Sequence, residues 1–126
     1  LDKKAIADAA LLSDEYYALA YTFLPPANSW VTEDVEKYDR DVEKAKQLLS
    51  EAGVSNPTLK FAYSADDSLQ ATAAVMIQEQ AAEAGINVEL YGMDATAESQ
   101  AMKNPDNEYD LYYGGYIMGV DPDKYS

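Results

Sequence analysis

The chain has 126 residues, 48% of them hydrophobic, carries a formal net charge of −14, and contains neither cysteine nor histidine. That length supplies one hydrophobic core rather than two, and no window approaches the eighteen consecutive apolar residues of a membrane span, so the sequence reads as a single soluble globular domain over residues 1–126. The acidic balance argues against nucleic acid and anionic membranes as partners, because phosphates would be repelled, and the missing Cys and His remove thiolate nucleophiles, imidazole bases and most zinc sites.

The chain opens on Leu1, Asp2 and Lys3, with neither a methionine nor an apolar leader, and is expected to be processed or an excised piece. In residues 2–12, Ala5, Ile6, Ala9, Ala10 and Leu12 recur at helical spacing, with Asp2 placed to cap the start. Tyr16, Tyr17, Leu19, Ala20 and Phe23 are able to extend a helix, but Pro25 and Pro26 stop whatever precedes them, and residues 25–38 read as an irregular loop. The run "DVEKAKQLLSEAG" is clearer. Asp41 caps it, Val42, Ala45, Leu48, Leu49 and Ala52 form one stripe, and Gly53 supplies the left-handed terminus.

"TLKFAY" alternates Leu59, Phe61 and Tyr63 and reads as a strand over residues 58–63. "SADDS" offers caps for a long helix over residues 67–84, closed by Gly85, with Leu69, Ala73, Met76 and Ile77 on its apolar face. "INVELY" (residues 86–91) is a second strand, a shorter helix follows over residues 96–103, and "NPDN" breaks it. A third, buried-looking strand begins near Tyr109 in "YDLYYGGYIMGVDPD". The alternation strand, helix, strand, helix, strand predicts an α/β fold with a parallel sheet flanked by helices and right-handed crossovers.

Open parallel sheets bind ligands beyond the carboxyl ends of their strands, where the winding direction reverses. If the third strand returns to the far side of the first, the loops at that point are residues 64–68 and 115–123. Gly114, Gly115 and Gly119 there let another backbone approach, Tyr116 and Tyr125 offer a flat ring with a hydroxyl, and the free edge of the last strand suits an extended peptide. Candidate ligand-binding residues are Ser64, Asp66, Gly115, Tyr116, Ile117, Met118, Gly119 and Asp121. Each feature has a plainer reading: glycine pairs at strand ends are turns, Asp-Pro-Asp is a turn and cap sequence, and most of the eleven tyrosines are strand and core material.

The blocks "LDKKAIADA", "LPPANSW", "YDRDVEKAKQLLSEAG", "TLKFAYSADD", "IQEQAAEAGINVEL" and "YDLYYGGYIMGVDPD" follow one another in an order that covers nearly the whole chain. In that order they resemble the C-terminal lobe of the peptide/nickel-type (family 5) extracellular solute-binding proteins of ABC importers. The resemblance implies one lobe of a type II periplasmic-binding-protein-like fold, with a partner lobe upstream in the full protein and a membrane permease as its docking partner. It also implies a short extended peptide as ligand, no cofactor, no enzymatic activity, and an extracytoplasmic location with a lipid anchor or in the periplasm. In that family the strand end meets the peptide backbone and an aspartate in a G-W-x-x-D pattern meets the α-amino group. Here Tyr116 stands for the tryptophan and Gly119 for the acid, with Asp121 the nearest carboxylate, while Tyr113 stands where some relatives carry a basic residue for the ligand carboxylate.

Two other classes compete. Asp66, Asp67 and Asp121 meeting at one edge would suit acid–base chemistry or calcium, but no EF-hand, G-x-S-x-G or phosphate-loop pattern occurs. The tyrosine-rich strand edge would alternatively dock another protein outside any transport function.

Overall fold

The computed structural model of the chain describes residues 1–115 and Asp121. Three parallel strands, β1 (Thr58–Ser64), β2 (Asn87–Met93) and β3 (Leu111–Tyr112), form one sheet in the order β2-β1-β3. Four helices accompany them: α1 (Lys3–Leu11), α2 (Val42–Glu51), α3 (Ser68–Glu83) and α4 (Ala95–Lys103). The third strand does return to the far side of the first, and residues 25–38 hold no helix or strand.

Local chemistry sets the helix bounds. The carboxylates of Asp2, Asp41, Asp67 and Asp94 each accept a backbone N–H of the first turn of the helix that follows, satisfying donors that have no partner inside the helix. Gly53 (φ +70°) and Gly85 (φ +84°) take the left-handed conformation just after α2 and α3. Leu12 takes it after α1, at φ 65°. That reversal ends α1, so Tyr16 and Tyr17 do not prolong it: only a short 3₁₀ turn, Asp14–Tyr16, follows.

The alternation of Leu59, Phe61 and Tyr63 describes one face of β1, and the other face is covered as well. Phe61, Ala62 and Ser64 are all buried, as befits a central parallel strand with helices on both sides. Towards α3, Phe61 packs with Ala74 and Val88, and Tyr63, Ile77, Ala81, Ile86, Leu90 and Tyr113 close around them. Ala62 is aligned with Tyr91 of β2 on one side and Tyr112 of β3 on the other. Tyr109 bridges these two rings edge-on, at centroid distances of 5.4 and 6.2 Å, and the Tyr112 hydroxyl donates to the Ala101 carbonyl of α4. Several of the tyrosines are therefore half-buried packing against the sheet.

β3 is a shorter and more exposed strand than its sequence suggests. Leu111 is exposed at the sheet edge, and among the described residues only Leu111 and Tyr112 are in register with β1. Asp110 lengthens the junction: its N–H donates to the Lys60 carbonyl and its carboxylate accepts the Lys60 N–H, each at 2.9 Å. α1 is held from the other direction by Gln80 of α3, whose side-chain oxygen accepts the Asp2 N–H at 2.6 Å while its amide nitrogen donates to the Asp2 carbonyl.

Phe61 is 3% exposed, so Phe61→Ala is expected to destabilise the chain by about 3 kcal/mol in denaturant titrations. Asp110→Ala is expected to cost about 1 kcal/mol and to speed hydrogen exchange at the Lys60 and Tyr113 amides, leaving the α3 amides unchanged.

Candidate functional site

Because β1 is flanked by β2 on one side and β3 on the other, the winding of the chain reverses between β1 and β3. The two strands end side by side. The Tyr113 N–H continues their ladder by donating to the Ala62 carbonyl at 3.2 Å, which sets Tyr113 beside the last residues of β1. Ser64 closes β1 in a buried position, and its N–H donates to the Gln70 side-chain oxygen at 2.9 Å. The chain then turns through Ala65 and Asp66 to Asp67, the cap of α3.

These contacts bring Ser64, Gln70 and Tyr113 to one end of the sheet. Burial, and after it the Asp67 carboxylate, raises the Tyr113 hydroxyl above its ordinary pKa, so it stays a neutral donor in the physiological range. Asp66, Gly115 and Asp121 are exposed. Tyr116, Ile117, Met118, Gly119 and Tyr125 lie outside the described residues.

Beyond the strand ends a cavity of about 410 Å³ is lined by Gln70 of α3, Glu98, Ser99, Met102 and Lys103 of α4, and Tyr113, Gly114 and Gly115 after β3. Gly114 sits close to Met102, since a Cβ there would meet the Met102 methyl at 3.3 Å. A smaller, mainly apolar groove of about 210 Å³ lies towards the other end of the strands, between α2, α3, Leu59 and Val88; its polar lining residues Arg40, Asp41 and Gln80 are already engaged with Glu83, the start of α2 and the Asp2 backbone.

Glu98 was not legible as a site residue from the sequence. It lies in the first turn of α4, four residues after the Asp94 cap, and is only 6% exposed. Its Oε1 has no hydrogen-bond partner, the one buried side-chain polar atom so placed among the described residues. Burial pushes its carboxyl above the usual carboxylate range, and Lys103, which lines the same cavity, makes no ion pair with it. The available signal was positional: Glu98 is three residues from Ala101, whose carbonyl α4 presents to Tyr112 of the sheet, so the acid falls where a helix normally buries an apolar side chain.

The family model for bacterial extracellular solute-binding proteins, family 5, matches residues 1–126. The chain belongs to that family. Among solved structures, the family 5 chain is similar to the ABC transporter substrate-binding protein CtaP from Listeria monocytogenes, with a TM-score of 0.90 and 37% identity over 97% of this chain and 25% of that one. It is similar also to AppA from Clostridium difficile, with a TM-score of 0.86 and 29% identity over 97% of this chain and 26% of that one. The curated oligopeptide-binding protein AppA of Bacillus subtilis is 28% identical over 105 residues, 73% of this chain and 19% of that protein. The chain thus spans about a quarter or less of the length of these relatives. The α/β architecture with helices flanking a parallel sheet is that of the family's solute-binding fold, and these relatives are solute-binding proteins rather than enzymes. Among the described residues no group of three or more acidic side chains gathers to hold a metal, and no helix is long and apolar enough to cross a membrane.

A carboxyl whose folded-state pKa is raised holds its proton more readily folded than unfolded. Its contribution to stability is therefore most favourable below the ordinary carboxylate range and is lost as pH rises through the folded value. Glu98→Gln is expected to raise the thermal midpoint at pH 7 by about 2–4 °C, with the difference from the parent shrinking towards pH 4. A parent that is the more stable of the two at pH 7 would mean that the carboxylate has an internal counter-charge.

Proposed function

We propose that residues 1–126 are the C-terminal ligand-binding lobe of a two-lobe substrate-binding protein that captures short peptides outside the cytoplasm and delivers them to the permease of an ABC importer. The observation that carries this reading is the coincidence, at one sheet end, of a winding reversal, a free-edged strand and a cavity with convergent polar groups. In this reading the peptide lies extended beside β3 and takes backbone hydrogen bonds from residues 113–115, with the Tyr113 hydroxyl as a further donor. The proposed contacts continue through Tyr116, Ile117, Met118, Gly119 and Asp121, with Ser64 and Asp66 on the facing rim. Asp121 replaces the amine-binding acid that Gly119 lacks. The full-length protein is lipid-anchored at the cell surface or periplasmic.

Peptide is favoured over other solutes by the relatives solved with ligands. The B. subtilis AppA structure, 25% identical with a TM-score of 0.81, holds a nonapeptide, and the DppA structure from Helicobacter pylori, 26% identical with a TM-score of 0.68, holds the peptide STSA. A second reading, a small polar solute such as an opine, draws on AgaA from Agrobacterium, 28% identical with a TM-score of 0.61 and solved with agropinic acid. The interaction-module reading is less well supported, because Tyr109 is already engaged edge-on with both Tyr91 and Tyr112.

One lobe supplies only part of the contacts and none of the closure, so the isolated chain is expected to give no heat with a mixed library of short peptides in calorimetry. The two-lobe parent, stripped of bound ligand, is expected to bind members of the same library at micromolar concentration or below. A micromolar signal from the isolated chain would overturn the division of labour between lobes. Silence from the parent would overturn the peptide reading.

A further inference from the structure

The cavity at the strand ends holds an acid that the fold does not use. A buried carboxylate is ordinarily paired with a cation, held by several N–H donors, or kept protonated against an acceptor, because leaving it unpaired costs several times what a neutral polar group costs. Glu98 shows none of these arrangements on Oε1: the atom is shielded from solvent, it has no partner, and Lys103 across the same cavity forms no ion pair with it. Protonation alone leaves the same vacancy, since no acceptor is in reach of Oε1 either. An acid in the first turn of α4 suits the helix dipole, but that accounts for no hydrogen bond to Oε1. The α4 cap is made by Asp94, whose carboxylate accepts the Ala97 N–H at 2.9 Å, and Glu98 takes no part in it.

We infer that Glu98 is a specificity-determining residue whose carboxylate receives a cationic group of the ligand, an ammonium or guanidinium, inside the cavity bounded by α4, Gln70 and Tyr113 to Gly115. The inference rests on the peptide reading above and adds to it a preference for charge. About 410 Å³ admits a long side chain, and Gly114 and Gly115 let a ligand backbone pass close to the cavity mouth. A cation entering there meets a carboxylate with one oxygen shielded from solvent. Such a pair is stronger than one at the surface, and removing one partner is correspondingly costly. The net charge of −14 favours the approach of cationic ligands in the same sense. The group has two sources to separate: a lysine or arginine side chain, expected if Asp121 takes the α-amine as proposed above, and the α-amine itself, which would displace Asp121 from that role.

The test uses the full two-lobe protein, freed of ligand by unfolding and refolding, in its parent form and as Glu98→Gln and Glu98→Asp. The probes are N-acetylated alanine pentapeptides carrying one lysine, arginine or norleucine at each position in turn, with all-alanine pentapeptides, acetylated and free, as the α-amine pair. Each affinity is read as a ratio of charged to uncharged partner, which cancels any general loosening of the site by the substitution. In the parent, lysine or arginine is expected to exceed norleucine by about tenfold or more at one position, or the free amine to exceed its acetylated form by as much. In Glu98→Gln that ratio is expected to fall to within about twofold of unity, with partial recovery in Glu98→Asp. The arm that responds identifies the source of the cation. Peptide binding with no preference for charge, or a preference that survives Glu98→Gln, overturns the role of Glu98 and leaves the peptide reading standing. Absence of binding in every series overturns both.

Discussion

The position of β1 between two parallel neighbours is the constraint from which the rest of the molecule follows. A central parallel strand must hide both faces, and β1 does so with different materials on each. Towards α3 it uses Phe61 among Ala74 and Val88, where a small residue on the helix lets it settle close to the sheet. On the other face Ala62 leaves room for Tyr91 and Tyr112, its partners in the register on either side, to reach Tyr109 between them. The same position makes the winding reverse on the β3 side, the kind of crevice at the carboxyl ends of strands where open α/β sheets commonly take ligands.

At that open end the structure departs from the economy of its core. Hydrogen bonds elsewhere are closed: Ser64 by Gln70, the helix starts by their aspartates, and the β1–β3 junction by Asp110. Only Glu98 carries a shielded oxygen with no partner among the described residues. A domain that tolerates such a group gives up stability at the place where it would meet a ligand, and residues whose native surroundings leave them unsatisfied are a common mark of sites that are completed by something else.

Much of the fold was legible in the chain because local and global signals agreed. The aspartate caps, Gly53 and Gly85, and the alternating strands each have a mechanism that acts over a few residues, and tertiary packing reinforced every one of them. The legible part of the site was topological and conditional: three strands alternating with two helices give a reversal point if the third returns beside the first, as it does, and Tyr113 and Gly115 lie there. What was not legible depended on distant partners. The shortness of β3 follows from its place at an edge, which Leu111 does not announce. Nothing in "SDEYYALAYTF" foretells that Leu12 adopts a left-handed backbone and ends α1. Glu98 reads as one more acid in an acidic chain until the sheet is set against α4. Its neighbours Gln70 and Tyr113 are 28 and 15 residues away along the chain, beyond the range of any helical or strand pattern.

Gln80 illustrates the same point from the opposite end of the molecule. One planar amide both accepts from and donates to the backbone of Asp2, so the first turn of α1 is anchored to the last turns of α3 through a single side chain. Glutamate of the same shape would set a second acceptor against the Asp2 carbonyl, and leucine or methionine of similar bulk would leave both backbone groups unanswered. A position that looks interchangeable in a glutamine- and glutamate-rich run is thereby as exacting as the apolar interior, and tolerance to substitution in this helix tracks two-sided hydrogen bonding as closely as it tracks hydrophobicity.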